Sequence, residues 1–272
     1  MLALLQAVLL GIVEGITEFL PISSTGHLIV TQKLIGFQDH HDLYTVVIQV
    51  GAIAAVIWFY RQDLWQKTLG LFRRSAEAIN FWKVLVVGTI PAGVLGLLFD
   101  KALETFTTPL VVAISLILGA VVLWLVDNKP VEATAAAKPL EHISLRKALL
   151  VGLGQCVAMI PGVSRSGATI VSGLAVGLNR PTATALSFYL SIPVLVLASA
   201  YKLAKYHSEI PNITGGLPAL LVGLVVSFIT ALAAVSWLLR YVSRHNFRSF
   251  AIYRLVAGIL ILVLIALGTL PK

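Results

Sequence analysis

The run Pro21-Ile22-Ser23-Ser24-Thr25-Gly26-His27 interrupts an otherwise apolar chain, and Pro161-Gly162-Val163-Ser164-Arg165-Ser166-Gly167-Ala168-Thr169 resembles it about 141 residues later. Each run also follows a matching glycine and polar residue, which are Gly11 and Glu14, then Gly152 and Gln155. Unpaired backbone groups are costly in hydrocarbon, so such breaks occur at membrane depth only where protein or a water-filled cavity surrounds them. A broken helix in each half of a duplicated chain therefore indicates a binding site near the middle of a membrane.

The composition is that of a membrane protein. The 272 residues are 58% hydrophobic and only 12% charged, whereas about a quarter of the residues of soluble domains are charged. A net charge of +8 would suggest nucleic-acid binding in a soluble chain, but most Lys and Arg fall in three loops between apolar segments. They serve as topology signals, and no nucleic-acid partner is expected.

Six apolar stretches approach the roughly 20 residues that a helix needs to cross a bilayer. They are 43–60, 82–99, 109–126, 184–203, 217–239 and 249–269. The three basic loops follow the first, third and fifth stretches, and the positive-inside rule places them in the cytoplasm. The pattern predicts an all-α polytopic membrane protein with six transmembrane helices.

Two further segments, 1–42 and 147–183, are apolar but punctuated in mid-segment, and each must begin and end on one side of the membrane. We expect two re-entrant helix-loop-helix hairpins, the first entering from the outer face and the second from the cytoplasmic face. This arrangement is an inverted-topology repeat. Its halves, about 1–127 and 142–272, form a single integral membrane domain joined by a polar linker at 128–141.

Glu14 and Glu18 stand one helical turn apart and share a face. An ionisable side chain at membrane depth costs on the order of 3 kcal/mol on insertion scales and usually serves an ion, a proton or a substrate. The pair suits either a general base or two ligands of Mg²⁺ or Ca²⁺. The sequence leaves both roles open.

Hydroxyl side chains begin the helix after Pro21, so one of them is expected to cap it while its free N–H groups face the break. These side chains are Ser23, Ser24 and Thr25. A helix N-terminus attracts anions, and the second run repeats the design with Ser164, Arg165 and Ser166. Phosphate is the anion that this combination favours.

Three basic side chains need partners in this setting. Arg165 suits bidentate phosphate binding, although an ion pair with one of the glutamates would also satisfy it. His27 follows Ser24 by three residues, which permits a Ser/His pair or a His nucleophile. Arg254 lies roughly five residues into the last span, where it either snorkels to the cytoplasmic interface or has an internal partner.

Together, the Glu14-x-x-x-Glu18 spacing, the two polar runs and the segment Ala251-Ile252-Tyr253-Arg254 resemble the undecaprenyl pyrophosphate phosphatase family of the bacitracin-resistance type. The resemblance implies a multi-pass enzyme of the bacterial inner membrane whose site faces the periplasm. Such an enzyme removes the terminal phosphate of undecaprenyl pyrophosphate and so recycles a carrier lipid of cell-wall synthesis. The resemblance also implies dependence on Mg²⁺ or Ca²⁺, and a homodimer is left open.

The resemblance assigns the glutamate motif to Glu14 and Glu18 and the serine and histidine roles to Ser24 and His27. The expected phosphate contacts are Ser164, Arg165, Ser166 and Thr169, to which we add Ser23, Thr25 and Arg254. In our hypothesis, Ser24 attacks phosphorus while Glu18 or His27 takes its proton, and attack by His27 is the rival. The expected partners are a polyprenyl diphosphate lipid and the bilayer. The alternative function is an ion-coupled transporter or flippase of a polyprenyl phosphate, which would need the same phosphate cradle.

Overall fold

The computed structural model describes residues 1–105, 107–128 and 136–271, and within these ranges the chain forms eleven α-helices and no β-strand. In chain order the helices are α1 (Leu2–Thr17), α2 (Ser24–Ile35), α3 (Leu43–Phe59), α4 (Arg61–Phe72), α5 (Ala76–Thr105), α6 (Pro109–Val126), α7 (Leu145–Gln155), α8 (Arg165–Ala175), α9 (Arg180–Lys205), α10 (Gly216–Val242) and α11 (Arg248–Ala266).

Six helical segments in the described part of the chain are long and apolar enough to cross a membrane, and they coincide with the six predicted spans. These segments are His40–Phe59, Ala76–Phe99, Pro109–Val126, Arg180–Lys205, Gly216–Val242 and Arg248–Ala266. Large apolar side chains also point outward from them, such as Leu118, which is 61% exposed, and Leu197, which is 58% exposed. The prediction of an all-α polytopic membrane protein is confirmed.

The two polar runs break their helices in the same way. The first loop (18–23) separates α1 from α2, and the second loop (156–164), which includes a short 3-10 turn, separates α7 from α8. Ser23 and Ser164 end these loops with the same φ of 73°, a region that non-glycine residues rarely occupy. Each serine caps the helix that follows, accepting from the N–H of Gly26 at 3.3 Å and of Gly167 at 3.1 Å. The re-entrant course of the hairpins and the inverted orientation of the halves stay predictions.

Close helix packing fixes the position of the helix that carries Glu14 and leads to Glu18. Helix α1 packs along α10, and α11 packs along α6. A Cβ at Gly15 would lie 2.5 Å from the Ser227 carbonyl oxygen and 2.0 Å from Thr230 Oγ1. Small residues let helix backbones approach in this way in membrane proteins, so α1 is held tightly against α10 on the face next to Glu14.

A buried ion pair joins three helix ends on one side of the molecule. The Asp127 carboxylate, just after α6, lies 2.6 Å from Arg180 Nε at the start of α9. It also accepts a 2.5 Å hydrogen bond from the Phe247 N–H, just before α11. Half of the predicted linker at 128–141, residues 129–135, lies outside the described residues.

Candidate active site

The two loops meet although 146 residues separate their contacting groups. Ser166 Oγ donates to the Leu20 carbonyl oxygen at 2.8 Å, and its hydroxyl lies 3.0 Å from that of Ser164. Arg165 Nη2 lies 3.4 Å from Glu18 Oε1. The first loop, which carries Glu18, and the start of α8, which carries Arg165, therefore form one site. Ser166 is fully buried, and its hydroxyl joins the loops.

The Ser24 hydroxyl pairs with a glutamate. Ser24 Oγ donates to Glu18 Oε2 at 2.5 Å, and both residues are less than 9% exposed. Ser24 is the first residue of α2, where free N–H groups and the helix dipole favour negative charge. A hydroxyl bonded to a carboxylate at a helix N-terminus has the parts of an activated nucleophile next to an anion site.

Arg165 is only partly satisfied. Its Nη1 donates to the Ser187 carbonyl oxygen at 3.0 Å, and Nη2 makes the longer contact with Glu18. Its Nε is buried and has no hydrogen-bond partner among the described residues. The alternative of an ion pair between the halves is thus seen, but it leaves donors of the guanidinium available for a ligand.

Thr169 contacts the backbone of this arginine and the side chain of Ser187. Its hydroxyl lies 2.9 Å from the Arg165 carbonyl oxygen and 2.6 Å from Ser187 Oγ, and the residue is 1% exposed. Thr25, in contrast, is exposed and lines the cavity described below. Ser187 is missing from our predictions, because a single hydroxyl within an apolar span carries no pattern that distinguishes it from the other serines of α9.

Glu14 lies one turn before Glu18, is fully buried, and has no hydrogen-bond partner for either carboxylate oxygen among the described residues. No group of three or more His, Cys, Asp and Glu side chains that could hold a metal occurs in the described ranges. Mg²⁺ commonly binds one or two carboxylates and completes its shell with water and substrate phosphates. The two glutamates fit that donor set only if the substrate supplies the remaining oxygens.

His27 faces away from Ser24, contrary to the predicted Ser/His pair. Its Nδ1 lies 2.7 Å from the Ser23 carbonyl oxygen, and its Nε2 lies 2.6 Å from the Tyr253 hydroxyl. In the first turn of α2 the ring reaches back to the carbonyl four residues earlier, so both nitrogens are engaged while the Ser24 hydroxyl bonds to Glu18. Tyr253 is a second residue that our predictions of the site lack.

Arg254 has internal partners and does not snorkel. It is 1% exposed, and its guanidinium donates to five backbone carbonyl oxygens at 3.0–3.3 Å. These belong to Pro21, Ser115, Leu116, Gly162 and Val163. A guanidinium has five N–H donors, so none is left for a phosphate in this structure. Its geometry supports a role in holding the two loops together against α6 and does not support the predicted phosphate contact.

A cavity of about 1220 Å³ opens at this site. Its polar end is lined by Glu18, Ser23, Ser24, Thr25, Ser164 and Arg165. The rest is mostly apolar and runs between α5 and α9, with Ile90, Val94 and Leu97 on one side and Ile192 and Val196 on the other. The cavity can therefore hold a ligand with an anionic head and a long hydrocarbon tail.

Comparison with known proteins gives consistent matches over nearly the whole chain. The family model described as bacitracin resistance protein BacA matches residues 7–260. The undecaprenyl-diphosphatase of Deinococcus deserti is 46% identical over 272 residues, which cover 98% of this chain and 97% of the relative. The undecaprenyl-diphosphatase of Psychrobacter arcticus is 44% identical, covering 96% and 94%, and undecaprenyl-diphosphatase 1 of Chromobacterium violaceum is 44% identical, covering 95% of each chain.

Proposed function

This chain belongs to the bacitracin resistance protein BacA family. We propose that it acts on undecaprenyl pyrophosphate, the activity for which its relatives are named. The chain is a hydrolase that removes the terminal phosphate, leaving undecaprenyl phosphate and inorganic phosphate. This activity recycles the carrier lipid of peptidoglycan synthesis, and the family name connects it with bacitracin resistance.

The observation that carries the assignment is the placement of a hydroxyl, a carboxylate and a guanidinium at the polar end of a largely apolar cavity. Ser24 and Glu18 come from the first half of the chain and Arg165 from the second. The substrate has the matching form, with a diphosphate at the end of a polyprenyl chain. The tail fits between α5 and α9, which places the terminal phosphate among the polar groups.

In the proposed reaction, Ser24 Oγ attacks the terminal phosphorus and passes its proton to Glu18. The Oγ–P bond forms as the bond to the bridging oxygen breaks, and undecaprenyl phosphate leaves. Water then hydrolyses the phosphoserine, releasing inorganic phosphate. Arg165 and the N–H groups at the start of α2 hold the charge on the phosphoryl oxygens, because phosphoryl transfer depends mainly on positioning and charge stabilisation.

Glu18 is the base in this scheme because its Oε2 already accepts the Ser24 hydrogen at 2.5 Å. His27 has neither nitrogen directed at that hydroxyl. Attack by His27 is the rival, and it would require the ring to leave both of its partners. The existing contacts thus favour serine attack assisted by the carboxylate.

Glu14 and Glu18 are the residues that would hold Mg²⁺ or Ca²⁺ together with diphosphate oxygens. When bound, the ion would neutralise phosphate charge and orient the leaving group. The support for this is the buried Glu14 carboxylate, whose oxygens have no hydrogen-bond partner among the described residues.

The six spans make the chain a multi-pass membrane protein. We place it in the bacterial inner membrane with its site open to the periplasm. The support for this orientation is the distribution of Lys and Arg, which puts the loops after the first, third and fifth spans in the cytoplasm.

The test is phosphate release by the purified full chain from undecaprenyl pyrophosphate in detergent, with Mg²⁺, with Ca²⁺ and with a chelator. Wild type should release inorganic phosphate, and the Ser24→Ala variant, purified identically, controls for a contaminating phosphatase. No release by wild type would argue against the phosphatase. Equal release by the variant would argue against serine attack, and finding the phosphate on His27 would separate that case from contamination. Movement of the lipid across a vesicle membrane without phosphate release would favour the transporter instead. Full activity in chelator would remove the metal from the scheme.

A further inference from the structure

Tyr253 of α11 contacts the first loop through His27. Its hydroxyl lies 2.6 Å from His27 Nε2, and the two rings are nearly parallel, with centroids 5.6 Å apart. The tyrosine is 45% exposed. Tyr253 directly precedes Arg254, which donates to the Pro21 carbonyl oxygen in the first loop.

The direction of both histidine hydrogen bonds follows from donor chemistry. The Ser23 carbonyl oxygen can only accept, so the hydrogen lies on Nδ1 of His27. A neutral ring then has a lone pair on Nε2, and the Tyr253 hydroxyl donates to it. Tyr253 therefore selects the tautomer of His27 that holds the Ser23 carbonyl.

That carbonyl belongs to the strained corner that places the nucleophile. Ser23 has a φ of 73°, and such a conformation persists only where its surroundings determine it. Its carbonyl oxygen accepts from Nδ1 of His27 at 2.7 Å and from the His27 backbone N–H at 3.4 Å. Since this carbonyl and the Ser24 N–H form one peptide plane, fixing it orients the start of α2 and the Ser24 hydroxyl.

The second loop shows that the turn itself does not need this support. Ser164 has the same φ of 73° and the same capping bond, but Ala168 stands where the first loop has His27. Among the described residues, the Ser164 carbonyl oxygen accepts from the Ala168 backbone N–H, at 2.9 Å, and from no side chain. The His–Tyr clamp is therefore added only to the loop that carries Ser24.

We propose that Tyr253 is a positioning residue of the phosphatase reaction, which acts through His27 to hold the Ser23–Ser24 corner so that the Ser24 hydroxyl points to Glu18. This rests on the proposed function. The role of His27 is then to hold the backbone, and neither ring contacts the phosphorus.

The test is a double-mutant cycle of Tyr253→Phe and His27→Ala, with kcat and KM measured for phosphate release from undecaprenyl pyrophosphate. Tyr253→Phe should lower kcat about fivefold to tenfold, the factor that the loss of one hydrogen bond gives, with KM changed less than about twofold. In the His27→Ala background the same change should have almost no effect, because coupled residues are not additive. Tyr241→Phe is the matched control, since it removes a tyrosine hydroxyl that bonds to Ser249 of α11 away from the site.

A second measurement is independent of turnover. In protein labelled with ¹⁵N-histidine, Tyr253→Phe should shift the Nε2 signal of His27, and Tyr241→Phe should not. Wild-type kcat in Tyr253→Phe, additive losses in the cycle, or an unmoved Nε2 signal would each overturn the role of Tyr253. A wild-type protein that releases no phosphate would instead overturn the proposed function.

Discussion

Replacing Arg165 by lysine tests the phosphate clamp while keeping the positive charge. In the structure, Nη1 is held by the Ser187 carbonyl oxygen at 3.0 Å, Nη2 is 3.4 Å from Glu18, and the buried Nε has no partner among the described residues. A guanidinium can keep the contact with Ser187 and still present a pair of donors to two phosphate oxygens. A lysine ammonium is a single point of charge and cannot do both.

The size of the loss follows from the bonds removed. A hydrogen bond to a charged group contributes roughly 1.5–3 kcal/mol, so two such bonds to the phosphoryl oxygens amount to about 3–6 kcal/mol. Since each 1.36 kcal/mol is a factor of ten in rate, Arg165→Lys should lower kcat/KM by about 10²- to 10⁴-fold. The variant should fold normally, because the side chain keeps its charge and most of its length.

The assay is phosphate release under saturating and limiting lipid, with thermal stability measured on the same samples. Arg61→Lys is the control, because Arg61 donates to the Trp58 carbonyl oxygen on an exposed surface, and it should leave kcat/KM unchanged. Activity of Arg165→Lys within about tenfold of wild type would refute the bidentate clamp. Arg165 would then be a charge-balancing partner of Glu18.

Three further outcomes are expected. Ser24→Ala should lower kcat by at least about 10³-fold, and mass spectrometry of a trapped wild-type intermediate should find the phosphate on serine. Substantial activity of the Ser24→Ala variant would favour histidine attack. His40→Cys and Leu145→Cys, each in a cysteine-free background, should react with a membrane-impermeant thiol reagent from opposite sides, and reaction of both from one side would exclude the inverted repeat. Burial raises the pKa of Glu141, but the hydrogen bond and charge of Lys67, 2.6 Å away, outweigh burial and lower that pKa. The pair therefore stabilises the fold at neutral pH, and this contribution is lost as pH falls through the lowered pKa. Glu141→Gln should lower Tm at pH 7 and match wild type in acid, and a Tm difference independent of pH would contradict this.

The spans were predictable because hydrocarbon imposes a strong and local constraint on sequence. A segment such as Pro109–Val126 must be apolar along its length, and that property can be read without knowing its neighbours. A shared site for the two polar runs was also predictable, because breaks at membrane depth need protein or a water-filled cavity around them. Glu18 and Arg165 were predicted as site residues for the same reason, and the structure brings them within 3.4 Å of each other.

The partners within the site were not predictable, since they depend on which groups the packed helices bring together. Spacing placed His27 next to Ser24, but the α2 backbone turns the ring toward Ser23, and Tyr253 approaches from a helix 226 residues away in sequence. Arg254 has a charge that suits phosphate, yet five carbonyl oxygens surround it. A sequence shows that a buried arginine needs acceptors, but it does not show whether they belong to a ligand or to backbone.

The five hydrogen bonds of Arg254 have a consequence for biosynthesis. The carbonyls they join lie at residues 21, 115, 116, 162 and 163, all of which leave the ribosome before residue 254. Because a domain is synthesised from its N-terminus onward, the residues that carry these carbonyls are made before α11. Until that helix inserts, the contacts of Ser166 and Arg165 can join the two loops, but the five hydrogen bonds of Arg254 are missing. We therefore expect a nascent or truncated chain that stops before α11 to hold its two loops less firmly than the full chain does.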